Sequence, residues 1–232
     1  MTQPASASAS PPVPVRVWDL PTRLFHWGLA ASVVALFITA KVGGNAMTWH
    51  LRLGYVVLAL LLFRVVWGVV GGRWSRFASF FYGPGRVLRY LRGQGEAQEH
   101  VGHNPLGALS VFALLGALLA QVLTGLMADD EIAFSGPLTR FVSGDTVAWA
   151  TSLHTDVGQW LLVALVALHL AAIAFYTHIK RHSLVRPMVL GDKQLPAATP
   201  ASRDDARTRL LAAVVLAAAA GVAWWVAQLG VF

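Results

Sequence analysis

Four histidines stand inside or at the ends of strongly apolar stretches of the 232-residue chain: His26, His50, His154 and His169. An ionisable group is expensive in such surroundings and by default marks a functional site. Imidazole is also an axial ligand that haem iron commonly accepts. Four imidazoles at two per iron predict two bis-histidine haems b, and with them a path for electrons. The chain has no cysteine. Disulfides, iron–sulfur clusters, thiolate zinc sites and covalent haem attachment are thereby excluded, so any haem is held non-covalently, by nitrogen or by Met.

The elements that must position these residues are membrane helices. The chain is 56% hydrophobic and 12% charged, too apolar for a soluble domain of this size. Five apolar runs are predicted to span, over residues 24–42, 50–70, 105–127, 154–176 and 210–231. Each is long enough for a hydrocarbon core of about 30 Å at about 1.5 Å per residue. The predicted fold class is an all-α membrane protein: a four-helix transmembrane di-haem bundle plus a fifth C-terminal transmembrane helix. Residues 1–15, rich in Ser, Ala and Pro, read as a disordered cytoplasmic tail that lacks the features of a secretory signal, with the first span as its own insertion signal. Residues 16–191 form the di-haem domain, 192–206 a linker, and 207–232 the last helix, which carries no His and is an anchor or packing partner. Within the long second connection, Val87 to Arg92 is predicted to form a short amphipathic surface helix.

The net charge of +7 follows topology and calls for no nucleic acid. Arg16 and Arg23, the arginines between residues 73 and 92, and the basic residues between 180 and 209 all fall on one side of a five-span chain. Asp129, Asp130, Glu131 and Asp145 fall on the other. The positive-inside rule then predicts a multi-pass protein of a bacterial inner membrane, N-terminus cytoplasmic and C-terminus periplasmic. On that topology His50 and His154 lie near the outer face. His26 lies near the cytoplasm, and His169 is about 22 Å deeper than His154 along one helix. On a regular α-helix these last two are offset by about 60°, so both can face inward. The predicted pairs are His50 with His154 and His26 with His169.

Other residues have two readings each. Gly54 and Gly158, one turn after His50 and His154, either leave room for a flat macrocycle or serve ordinary helix contacts. Arg64 inside the second span needs an anion: it pairs with a propionate of the inner haem, or it snorkels to the headgroups. Arg52 is placed to serve the outer haem in the same way. His100, His178 and His182 read as an interfacial basic belt. So does His103, whose setting in Gly102-His103-Asn104-Pro105 also suits a quinone head group or a proton relay.

Several of these segments carry a resemblance. Residues 16–27, RVWDLPTRLFHW, resemble the opening signature of the bacterial cytochrome b561 family, which includes the cytochrome b subunit of nickel–iron hydrogenases. The segments FRVVWG from Phe63, GHNPLG from Gly102, LTGL from Leu123 followed by Asp129-Asp130-Glu131, and LVRPM from Leu184 resemble the same family in the same order. The resemblance covers roughly residues 15–191 and implies a four-helix di-haem core. The family's ligands, on the first, second and fourth helices with two on the fourth, match His26, His50, His154 and His169.

The expected function is transmembrane electron transfer between the quinone pool and a periplasmic redox partner such as a c-type cytochrome. Two alternatives stay within the resemblance: a membrane-anchor cytochrome b subunit of a hydrogenase or dehydrogenase complex, and a superoxide:ubiquinone oxidoreductase. A haem-free transporter is disfavoured, since no carboxylate sits centrally in the spans and ion-coupled carriers usually need one.

Overall fold

The computed structural model describes residues 11–230. Among them, five helices are long and apolar enough to cross a membrane by length and composition. These are α1 (Leu20–Val42), α2 (Ala46–Val70), α4 (Pro105–Gly125), a fourth span over Gly144–Ile179, and α8 (Ala206–Gln228). The fourth span is composite. It runs as α5 (Gly144–Ser152), a π-turn (Leu153–Gly158), α6 (Gln159–Ala174) and a second π-turn (Phe175–Ile179). Its backbone therefore departs from α geometry beside His154, and the 60° offset expected of a regular helix does not apply across that turn. The shorter helices are α3 (Pro84–Leu91), on the segment expected to be amphipathic, and α7 (Val185–Leu190).

Local chemistry sets the helix ends. Asp19 caps α1 by accepting from the Thr22 N–H at 2.8 Å, with Pro21 in the first turn. This is why the helix starts before the apolar run. Gly43 and Gly44, at φ of 64° and 53°, make the tight turn from α1 into α2. Asn104 caps α4 through the Gly107 N–H at 2.7 Å, and Asp205 caps α8 through Thr208 at 2.8 Å.

Helix α2 is central. Of its most apolar window 44% is buried, against none of the fourth span's. Val57, Leu58 and Leu61 of α2 pack with Leu118 and Val122 of α4 and with Ala223 of α8. Phe63 and Trp67 pack with Phe25 of α1 and with Ala212 and Ala219 of α8. The fifth span thus lies along α2 through an alanine stripe, as a packing partner. Helices α1 and α2, α2 and α4, and α4 and α6 are direct neighbours.

One end of the molecule is closed by chain that the sequence reading left unstructured. Strand β1 (Val13–Arg16) pairs antiparallel with β2 (Asp192–Leu195), Val13 opposite Leu195 and Arg16 opposite Asp192. The expected disordered tail therefore ends before Val13; its first ten residues lie outside the described chain. The expected linker is bound down as well. Ser202 donates its N–H to the Arg16 carbonyl at 2.7 Å and its hydroxyl to the Val17 carbonyl at 2.8 Å, while Trp74 Nε1 donates to the Pro200 carbonyl at 2.8 Å. The physical reason is pairing at long range: a four-residue strand whose partner lies far along the chain leaves no local pattern.

Candidate cofactor-binding site

His50 and His154 face each other near the acidic end of the bundle. Their ring centroids are 6.1 Å apart and the planes nearly perpendicular, at 88°. His50 Nδ1 lies 3.0 Å from the Leu36 carbonyl of α1, and His154 Nδ1 lies 2.8 Å from the Gln121 carbonyl of α4. A carbonyl can only accept, so each Nδ1 carries the proton and each Nε2 keeps its lone pair. Two imidazoles on opposite sides of one metal, with metal–nitrogen bonds of about 2 Å, place their ring centroids about 6 Å apart. The donor set, tautomers and spacing suit a six-coordinate iron between the rings.

A Cβ on Gly54 would meet nothing within 4 Å, so this glycine borders open space. Gly158 does something else. The side-chain oxygen of Gln121 sits where its Cβ would be, so the macrocycle reading of Gly158 gives way to a helix contact. Gly125 of α4 is the glycine that accommodates the His154 ring, because a Cβ there would lie 2.7 Å from His154 Cε1.

At the strand-capped end His26 and His169 lie within electrostatic range of each other. Both are half-buried, and His26 Nδ1 is buried without a hydrogen-bond partner. Arg64 is 4% exposed, its guanidinium 4.5 Å from the Phe77 ring centroid, and one of its terminal nitrogens is also buried and unpartnered. A side chain this deep does not snorkel. Its buried neighbour Asp19 is already occupied: it accepts from Thr22 N–H, Trp67 Nε1, Gly72 N–H and the Ser75 hydroxyl at 2.8–3.2 Å. A buried guanidinium nitrogen without a partner fits a cofactor that brings its own carboxylates. Arg52, by contrast, is exposed and lies over the Trp49 ring at 5.1 Å. Two residues along a helix turn it about 200° from His50, away from the facing pair.

The remaining histidines separate. His103 is enclosed between the rings of Trp18, at 4.7 Å, and Phe80, at 4.4 Å, and is no belt residue. Burial, then the charges of Arg64 and Lys193, pushes its pKa down to about 3, so it is neutral at physiological pH. Burial likewise lowers Lys193 to about 8; its ammonium donates to the Val101 carbonyl at 2.7 Å and the His100 carbonyl at 3.1 Å. His100 packs 5.6 Å from His182, and His178 and His182 are exposed.

Sequence reasoning missed Gln121 and Thr124. Gln121 is a lone amide inside an apolar span, a signal that was available. Thr124 stands 3.5 Å from His154 Nδ1, its hydroxyl donating to the Ala120 carbonyl at 2.8 Å.

The sequence profile of prokaryotic cytochrome b561 matches residues 17–191. Among curated proteins, a "Probable Ni/Fe-hydrogenase B-type cytochrome subunit" of Azotobacter chroococcum mcd 1 is 29% identical over 212 residues, 76% of this chain and 87% of the relative. Proteins of the same description from Bradyrhizobium diazoefficiens and Rhodobacter capsulatus are 27% and 25% identical. They cover 78% and 77% of this chain and 86% and 81% of their own length. No solved structure matches the chain.

Proposed function

The chain belongs to the prokaryotic cytochrome b561 family, a family of helical membrane cytochromes that transfer electrons through haem b, and from that premise we propose that it carries two such haems at two heights. His50 and His154 hold one, His26 and His169 the other. The observation that carries this reading is the opposed pair of imidazoles 6.1 Å apart, each with Nδ1 on a main-chain carbonyl. When bound, haem supplies a reversible one-electron change at iron. The chain's own groups do the rest. The Leu36 and Gln121 carbonyls orient the outer ligands and raise their basicity. Arg64 takes a propionate of the inner haem, and α2 and α8 exclude water along one flank.

The direction of the bundle follows from charge: the strand-capped, basic end is cytoplasmic, the acidic end periplasmic. Electrons pass between quinone in the bilayer and a partner at the acidic end. For that partner the names of the relatives favour the subunit of a hydrogenase-type complex over a free c-type cytochrome.

The test begins with the pyridine haemochrome spectrum and haem-to-protein ratio of the purified chain, expected at two haems b. A colourless, folded preparation made with ample haem would end the reading. Mild-detergent purification from the native host then separates the partners. Co-purifying iron–sulfur and nickel–iron subunits are expected; reduction of an added c-type cytochrome with no co-purifying subunit would reverse the choice.

A further inference from the structure

We propose that Gln121 is a positioning residue for His154 and that it works together with Gly158 as one contact. The inference rests on His154 being an iron ligand. The fourth span leaves α geometry at Leu153–Gly158, and π-turns of this kind occur frequently at functional sites. Gln121 meets that turn from α4 in three ways. Its main-chain carbonyl accepts from His154 Nδ1 at 2.8 Å, and its side-chain Nε2 donates to the His154 carbonyl at 2.7 Å. Its side-chain oxygen fills the position a Cβ at Gly158 would take.

The first of these bonds selects the tautomer. The other two act on the main chain that carries the ring. Residue 121 thus holds His154 at its ring through the main chain and at its backbone through the side chain, so the imidazole cannot turn or shift without breaking a bond inside an apolar span, where a replacement partner is scarce. The plane so held stands at 88° to that of His50. An apolar side chain of similar length would fill the same space and keep the main-chain bond to the ring, but would lose the amide bond to the His154 carbonyl. The amide therefore fixes the main chain from which the ring projects, and through it the ring's orientation and the electronic environment of the metal, while Gly158 is the vacancy that admits it.

The full chain, purified with its haem, is the material for the test. The low-spin ferric EPR signal of a bis-imidazole iron depends on the angle between the ring planes, so it reads orientation directly. Gln121→Met and Gly158→Ala are each expected to move one of two low-spin signals, and to shift the midpoint potential of the same haem. The second signal and the haem-to-protein ratio stay as in the unmodified chain. If the two residues form one contact, Gly158→Ala costs less in the Gln121→Ala background than alone, because the clash with the amide has gone and only that with the Leu153 carbonyl, 2.9 Å from the new Cβ, is left. Full haem content with both signals and both potentials unchanged would overturn the proposal. So would failure of both single variants to accumulate while His154→Ala accumulates normally, since the contact would then serve folding alone. Failure of the ligand assignment is a separate result: His154→Ala would leave both EPR signals in place.

Discussion

The two ends of the bundle solve opposite problems. At the acidic end the scaffold is loop and the ligands are fixed. His50 and His154 each meet a main-chain carbonyl, while the nearby loop projects Ile132 at 91% exposure and is closed mainly on itself by Asp130, which accepts from the N–H groups of Ile132, Ala133 and Phe134. At the strand-capped end the scaffold is fixed and the cofactor-facing groups are free. Asp19 ties the start of α1 to the end of α2 and to Ser75, and β1–β2 with Ser202 closes the end, yet His26 Nδ1 and an Arg64 nitrogen are buried without partners. Burying an unpaired donor costs about 1–3 kcal/mol. On the proposed reading the carbonyl-bound pair is preorganised, while the unpartnered Arg64 nitrogen is placed for a propionate. The ends should therefore respond differently to the same kind of change.

The largest effect is loss of one haem at a time. His169→Ala should remove the strand-end haem and His154→Ala the other, each bringing the haem-to-protein ratio to about half by the two-imidazoles-per-iron rule. Spectra of the pair should be complementary. Retention of both haems in His169→Ala, with unchanged spectra, would dissolve the pairing and the comparison with it.

Next comes the scaffold. Asp19→Ala strands four buried donors, Thr22 N–H, Trp67 Nε1, Gly72 N–H and the Ser75 hydroxyl. Allowing for partial rewetting, the loss is about 3–5 kcal/mol, measurable as a lower thermal midpoint in detergent. Asp130→Ala removes three backbone bonds from an exposed loop and should leave the midpoint nearly unchanged. Equal effects would mean that the two ends are not built differently.

How much of this contrast could be read in the sequence depends on the range of each interaction. The spans were legible because an apolar run of about 20 residues is a local signal. The four histidines were legible as candidates because apolar neighbours make them conspicuous, and Arg64 for the same reason. Opaque features depend on a partner far along the chain. Val13 to Val15 look like part of a Ser/Ala/Pro tail until Lys193 to Leu195 are set beside them. Asp19 caps α1 through a local bond, but only the fold brings Trp67 to that same carboxylate oxygen and Gly72 to the other. Gly158 lies one turn after a histidine, which invites the macrocycle reading; nothing local says that α4 would deliver Gln121 there. Arg52 misled through proximity in sequence, where helix geometry turns it away.

Arg64→Leu tests whether the strand-end guanidinium serves the cofactor. Removing one positive charge from a low-dielectric site is worth on the order of 1–2 kcal/mol, or about 40–80 mV for a one-electron couple. The sign is downward, since a cation favours the reduced form. Redox titration should show one haem shifted and the other in place. No shift in either haem would leave the buried orphan without a role and make the two ends alike.

The smallest effect concerns Lys193, which belongs to the strand-end scaffold. Its ammonium is bound to the carbonyls of Val101 and His100, and burial lowers its pKa from 10.5 to about 8. Between about 8 and 10.5 the unfolded chain therefore holds a proton that the folded chain has released. Stability rises with pH wherever the unfolded state binds more protons, so this residue contributes a rise across that window and none below it. Measured as thermal midpoints in detergent, the unmodified chain should gain on Lys193→Met as pH increases from 8 to 10.5. Among the described residues the loop end has no buried amine in the equivalent place, so a Lys41→Met control, whose ammonium is exposed and bonded to the Gln159 side chain at 2.8 Å, should show no such gain. Parallel curves for the unmodified chain and Lys193→Met would mean that water reaches Lys193, and that the strand end is less tightly closed than its hydrogen bonds imply.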